Sequence, residues 1–99
     1  MLIINEERLT GFISEHPEAR SALERWAALT RTSRWKNLAE VRQVFKSADA
    51  VCECTVFNIL GNNYRLITRI VYANQTVSLR YFLTHKEYDR GRWKKDCDC

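Results

Sequence analysis

At 99 residues the chain has room for one domain, and 45% hydrophobic content with three Trp, four Tyr and four Phe is enough to bury a core, which argues against disorder. No run of about 18 apolar residues occurs, and MLIINEERL lacks the basic start, apolar middle and small-residue cleavage site of a secretion signal, so neither membrane span nor export is expected and the cytoplasm is the expected location. The net charge of +4 is uneven: Met1 to Asn63 carries eight basic and eight acidic side chains, Tyr64 to Cys99 eight basic and four acidic. The positive field is therefore local to the C-terminal part, where it suits a polyanion partner or a merely soluble surface.

Met1 to Ile4 is a short apolar run suited to a strand. Asn5 is placed to cap a first helix, with Glu6 and Glu7 in the turn where the helix dipole favours negative charge. Leu9, Phe12 and Ile13 follow at helical spacing, so this helix should run to about His16, with Pro17 closing it and opening the next. In the second helix Ala19, Ala22, Leu23, Trp26 and Ala27 share a face, which makes the pair a helical hairpin and Trp26 a core residue. His16 reads as a surface or capping residue, and Trp35 as a lid over the helices. Lys36 beside it faces solvent or a phosphate. Asn37 should cap a third helix carrying Leu38, Val41, Val44 and Phe45 on one side.

After Lys46 to Asp49 the periodicity changes from helical to strand-like. Val51 to Ile59 is expected as one strand, Gly61-Asn62 as a two-residue turn, Tyr64 to Ala73 as the next strand, Asn74-Gln75 as a second turn and Thr76 to Leu83 as the last strand. Those turns pair Phe57 with Leu66, Asn58 with Arg65, Ala73 with Thr76, Arg69 with Arg80 and Arg65 with Thr84. Alternation then gives a core face of Phe57, Ile59, Tyr64, Leu66, Ile70, Tyr72, Val77, Leu79, Tyr81 and Leu83 around Thr68. The opposite face gathers Asn58, Arg65, Ile67, Arg69, Val71, Ser78, Arg80, Phe82 and Thr84. Crowding Arg65, Arg69 and Arg80 together calls for an anion, either a carboxylate from elsewhere or a ligand phosphate, which guanidinium forks bind well. A solvated face of long charged side chains is the plainer alternative, and a one-residue slip in either turn would dissolve the patch.

His85 should stand at the edge of that patch with Tyr88 within a turn of it. A histidine and a tyrosine beside several cations supply what RNA cleavage by its own 2′-hydroxyl requires: a base, an acid and charge for the phosphorus oxygens. They also make an ordinary hydrogen-bonded rim, and Glu87 and Asp89 serve equally as partners of the arginines. The four cysteines form two Cys-x-Cys pairs, Cys52/Cys54 and Cys97/Cys99. Without a secretion signal free thiols are expected rather than disulfides, and the spacing is tighter than that of structural zinc knuckles. The last pair lies where chain ends usually fray.

FNILGNNYRLITRI, a following strand with Arg80, and then LTHKEYDRGRWKK closely resemble the HigB-type toxins of type II toxin-antitoxin modules; EHPEAR and RWKNLAEVRQVFKSAD fit the same pattern. The resemblance spans nearly the whole chain to Lys95. It implies an α+β, RelE-like fold in which the N-terminal helical hairpin packs on a curved, mainly antiparallel sheet, with one domain over residues 1–95 and a short tail at 96–99. It also implies a ribosome-dependent mRNA interferase, a metal-independent endoribonuclease without cofactor, neutralised by a HigA-type helix-turn-helix antitoxin that makes the contacts to operator DNA.

Carried over by motif, Arg65 and Arg80 would stabilise the phosphate and His85 and Tyr88 would share proton transfer. Lys36, Asn58, Arg69, Lys86, Arg90, Arg92, Lys94 and Lys95 are the expected RNA contacts. The cysteine pairs are not part of the family pattern. A non-catalytic RNA- or ribosome-binding module is the alternative from another class, and a thiol-based metal or redox module a third.

Overall fold

The structure is a computed structural model that describes Met1–Cys99. β1 (Leu2–Ile3) leads into α1 (Glu7–Glu15), a 3-10 turn over Pro17–Ala19 and α2 (Arg20–Thr32). Leu9 and Ile13 of α1 and Leu23, Trp26, Ala27 and Thr30 of α2 are buried, which is the apolar stripe expected of amphipathic helices. α3 (Leu38–Val44) is capped as expected: the Asn37 side chain accepts the Glu40 N–H at 3.0 Å. Trp35 lies in the core, ring to ring with Phe45 and Phe57. His16 is half-buried rather than superficial, packing on Tyr64 and Phe82. No helix is long and apolar enough to cross a membrane.

Asn5 does not cap α1. Its amide instead bridges to the last strand, donating to the Leu79 carbonyl at 2.8 Å and accepting the Leu79 N–H at 2.7 Å. The side chain thus continues the ladder that β1 starts, because Leu79 is fully buried and its backbone groups must find partners. Asn5→Ala is expected to cost roughly 1–3 kcal/mol by orphaning both groups, read as a lowered urea midpoint. An unchanged midpoint would mean that something else satisfies Leu79.

The chain continues through β2 (Asp49–Val51), β3 (Cys54–Ile59), β4 (Tyr64–Val71), β5 (Thr76–Thr84), α4 (His85–Asp89) and a final 3-10 segment, Arg92–Cys97. The five strands form one mixed sheet in the order β1-β5-β4-β3-β2, with β1 parallel to β5 and the remaining pairs antiparallel. The single strand expected over 51–59 is in fact two, because Cys52, at φ 53°, turns the chain into a small β2–β3 hairpin.

Between β3 and β4 the expected register holds, with Phe57 opposite Leu66 and Asn58 opposite Arg65. Between β4 and β5 it does not. Val71, not Ala73, pairs with Thr76, so the connection is a four-residue loop, and a β-bulge follows: Thr68 pairs with Leu79 but Ile67 with Tyr81, leaving Arg80 as the extra residue. Arg69 therefore faces Ser78 rather than Arg80, and Arg65 faces Leu83 rather than Thr84.

A one-residue shift reverses every side chain beyond it. Phe82 accordingly joins the helix-side core with Phe12, Tyr64 and Leu66, while Tyr81 and Leu83, expected there, lie with the opposite cluster. The pairings from which the three-arginine patch was drawn are thus replaced: Arg69 lies opposite Ser78, Arg65 opposite Leu83, and Arg80 is the bulge residue.

That opposite face carries a core of its own. Cys54, Val56, Ile67, Trp93 and Cys97 are buried together, covered by the C-terminal segment. The cysteines are paired rather than free: Cys52 with Cys99 and Cys54 with Cys97, at Cα separations of 5.5 and 5.2 Å. Nor does the terminus fray, since Cys97 is completely buried and its carbonyl accepts the Glu53 N–H at 2.8 Å. In sequence the two Cys-x-Cys pairs stand far apart, and only the folding of the tail across the sheet aligns them.

Candidate nucleic-acid interface

Beside the edge of this second core, β4 presents Arg65. Its guanidinium Nη1 donates to the Asn62 carbonyl at 3.0 Å and to the Tyr64 carbonyl at 3.2 Å, which pins the side chain against the β3–β4 turn. The same guanidinium lies 5.5 Å from the centre of the Tyr88 ring, a cation–π distance. Trp93 stacks on Tyr88, with centroids 4.8 Å apart and planes 16° from parallel, and its indole N–H donates to the Tyr88 carbonyl at 2.9 Å. Tyr88 is thus held by a cation and by an aromatic wall.

α4 carries both Tyr88 and His85, and its start is fixed by a capping box. The Thr84 hydroxyl accepts the Glu87 N–H at 3.2 Å while the Glu87 carboxylate accepts the Thr84 N–H at 2.9 Å. The His85 backbone N–H donates to the Asn63 carbonyl at 3.1 Å, tying the helix to the same turn that anchors Arg65. On the side chain, Nδ1 faces the Asp89 carboxylate at 2.9 Å, which leaves Nε2 of this exposed imidazole for solvent or substrate. Glu87 caps α4 and Asp89 orients His85, and neither is in an ion pair with an arginine, the plainer alternative for both. At Gly91, φ is 72°, a left-handed turn that separates α4 from the segment bringing Trp93 back onto Tyr88.

Burial pushes the Tyr88 phenol above its ordinary pKa of 10; the Arg65 cation works against that, and Asp49 and Asp89 add to it. Tyr88 is therefore a proton donor, not a phenolate, at neutral pH. The folded chain also holds this proton more tightly than the unfolded one. Its stabilising contribution is complete below pH 10 and is lost as pH rises through the folded value. Tyr88→Phe is expected to blunt the alkaline loss of stability, followed as urea midpoints from about pH 8 to about pH 11.

The remaining candidates fall into groups. Arg69 is engaged by Asp98 at 2.7 Å and so found a carboxylate within the chain. Arg80, at the bulge, has its carbonyl bound by Arg8 at 3.0 Å, while its own buried Nε has no partner. Asn58, opposite Arg65, donates to the Asn62 side chain at 3.3 Å. Lys86 is exposed on α4, and the Lys94 ammonium lies 6.0 Å from the Trp93 ring.

Arg90, Arg92 and Lys95 line a cavity of about 280 Å³ with Tyr81, Leu83, Glu87 and Trp93. Lys36 stands apart, next to the helix-side residue Trp35, its backbone N–H bound by Glu40 at 2.7 Å. A larger cleft, about 570 Å³ between α1 and α2, touches none of these groups. Trp93 is the site residue that sequence reasoning missed, and its only local signal is an aromatic residue just past a glycine.

The sequence pattern of HigB_toxin, described as the RelE-like toxic component of a toxin-antitoxin system, matches residues 19–91, which hold Arg65, Arg80, His85 and Tyr88. The chain belongs to the HigB toxin family. Among HigB relatives, the mRNA interferase toxin HigB of Escherichia coli (strain K12) is 26% identical over 92 residues, covering 90% of this chain and 88% of that one. The mRNA interferase HigB proteins of Escherichia coli O157:H7 and Shigella flexneri match to the same extent. The HigB pattern ends at residue 91, before Trp93 and the two cysteines of the tail.

Proposed function

We propose that this HigB family member is an mRNA interferase: a metal-independent endoribonuclease that cuts translated mRNA on the ribosome in the cytoplasm and is neutralised by a HigA-type helix-turn-helix antitoxin, which supplies any contact to operator DNA. The observation that carries the reading is the joining of Arg65, Tyr88 and His85 at the β3–β4 turn, within the part of the chain that carries the positive excess. The same reading gives the chain a RelE-like arrangement, with the N-terminal helices on one side of the sheet and the RNA on the other.

In the reaction the 2′-oxygen attacks phosphorus, the bond to the 5′-oxygen breaks, and a cyclic phosphate remains. Arg65 faces the phosphate oxygens, where a fixed guanidinium fork stabilises the charge that grows in the transition state. Arg80, with an unpartnered Nε, is the second cation. Tyr88, kept protonated by burial, suits donation to the departing 5′-oxygen. His85, oriented by Asp89 through Nδ1, offers Nε2 to the 2′-hydroxyl. Lys86, Arg90, Arg92, Lys94 and Lys95 would hold the flanking strand, with Asn58 and Arg69 on the sheet and Lys36 as an outlying contact.

Induced expression followed by mapping of transcript ends tests the reading. New ends inside translated codons, lost when translation is blocked, are the expected result. Intact transcripts beside arrested growth would replace the nuclease with a ribosome-binding module.

A further inference from the structure

The C-terminal segment is left largely unused by that reaction. It lies beyond the family match, yet it is fastened to the β2–β3 hairpin by both disulfides and forms one wall of the cavity at β5 and α4. We propose that this cavity is a subsite for one nucleotide of single-stranded RNA flanking the scissile phosphate, and that the disulfides hold its C-terminal wall in place, so that a dithiol reductant dismantles it. The proposal rests on the reading that this face handles RNA.

The chemistry of the cavity fits a nucleotide. Arg90, Arg92 and Lys95 border it beside the single carboxylate of Glu87, which the Thr84 N–H engages, and none of the three cations is in an ion pair. Three unpaired cations around a partly apolar floor of Tyr81 and Leu83 offer a phosphate its counter-charge and a base its contact surface. A volume of about 280 Å³ suits a single small unit, not a duplex. Leu83 pairs directly with Arg65 across the strands, and Trp93 backs Tyr88, so an occupant would sit beside the proposed reaction centre.

Trp93 is anchored on Tyr88 by its stack and its indole hydrogen bond, and Cys97 by the Glu53 N–H, but the side-chain contacts of the residues beyond Trp93 are weak, so there the wall depends on the cross-links. The Arg69–Asp98 pair and the Tyr81–Asp96 hydrogen bond involve exposed carboxylates, the kind of contact that contributes little by itself. Cys52 and Cys99 are exposed, whereas Cys54 and Cys97 are buried. Thiol exchange needs access, so the outer bond yields first and the inner one only as the segment lifts. In each step the reductant's thiolate attacks a protein sulfur and the S–S bond breaks. The second reductant thiol closes its own disulfide, and two electrons and two protons end on the protein as two thiols.

The test uses a fluorescein-labelled 2′-O-methyl RNA hexamer, which cannot be cleaved, titrated by anisotropy at several salt concentrations. Oxidised wild type is expected to bind it. Arg92→Ala/Lys95→Ala, with both disulfides intact, is expected to bind more weakly and to flatten the slope of log affinity against log salt by about 1.4, for two lost phosphate contacts on a single strand. Protein with four free thiols, counted by alkylation and mass, should bind as weakly as that variant or more so. Cys52→Ser/Cys99→Ser, which keeps the inner bond, should bind like wild type.

Equal binding by wild type and the Arg92/Lys95 variant overturns the subsite alone. Unchanged affinity after full reduction overturns its dependence on the disulfides. Failure of oxidised wild type to bind the hexamer removes the RNA reading together with both.

Discussion

Arg65→Ala is expected to lower the rate of RNA cleavage by about a hundredfold or more while the chain stays folded. Removing one preorganised donor from a developing oxyanion costs about 10²–10³ in rate, and Arg65 is the guanidinium that lies beside Tyr88. Its structural ties are modest: two hydrogen bonds to carbonyls of the β3–β4 turn and one cation–π contact. Near-ultraviolet circular dichroism of the Tyr88–Trp93 stack should therefore survive the substitution. Arg65→Lys keeps the charge but loses the fork, so an intermediate rate is the expected signature of phosphate binding. Full activity in both variants would take Arg65 out of the reaction.

Reducing both disulfides is expected to destabilise the chain by about 4 kcal/mol, a fall in melting temperature of roughly 15–30 °C. The two bonds should not contribute equally or additively. Cys54–Cys97 spans 43 residues and Cys52–Cys99 spans 47, one loop nested inside the other, so either bond alone already closes nearly all of the loop that the two share.

Cys52→Ser/Cys99→Ser should accordingly cost under about 1.5 kcal/mol. Cys54→Ala/Cys97→Ala should cost somewhat more, because the inner pair is packed against Val56, Ile67 and Trp93 and its loss opens a cavity. Thermal melts of the three forms decide the matter. Additive losses would contradict the nested loops, and an unchanged melting temperature after full reduction would mean that the cross-links do not form in solution.

Much of the fold could be read from residue spacing. The helical faces through Leu9 and Ile13 and through Leu23, Trp26 and Ala27, the Asn37 cap and the pairing of Phe57 with Leu66 all depend on local periodicity or on a tight turn. The β4–β5 register was not open to the same reasoning. Counting from Asn74-Gln75 assumed the shortest loop and an unbroken ladder, whereas Asn5 binds the Leu79 backbone and Arg8 the Arg80 carbonyl, holding a bulge at Arg80 from another part of the chain. The longer loop put Ser78 rather than Arg80 opposite Arg69, and the single extra residue at the bulge moved Tyr81 and Leu83 to the far face.

The cysteines show the same divide. Their spacing is tighter than that of the usual zinc knuckle, but whether Cys52 meets Cys99 and Cys54 meets Cys97 depends on the tail crossing the sheet, with Trp93 buried against Ile67 and its indole bound to the Tyr88 carbonyl.

Residue order alone thus settled the faces of the helices, the Asn37 cap, the basic character of the C-terminal part and the motif that places the chain among the HigB toxins. Propensity, periodicity and charge are properties of neighbours in the chain. Tertiary structure decided the bulge, the disulfides, the second core and the meeting of Arg65 with Tyr88. Each of these joins residues distant in sequence, and their energies depend on which backbone groups are buried without partners and which surfaces the folded chain brings together.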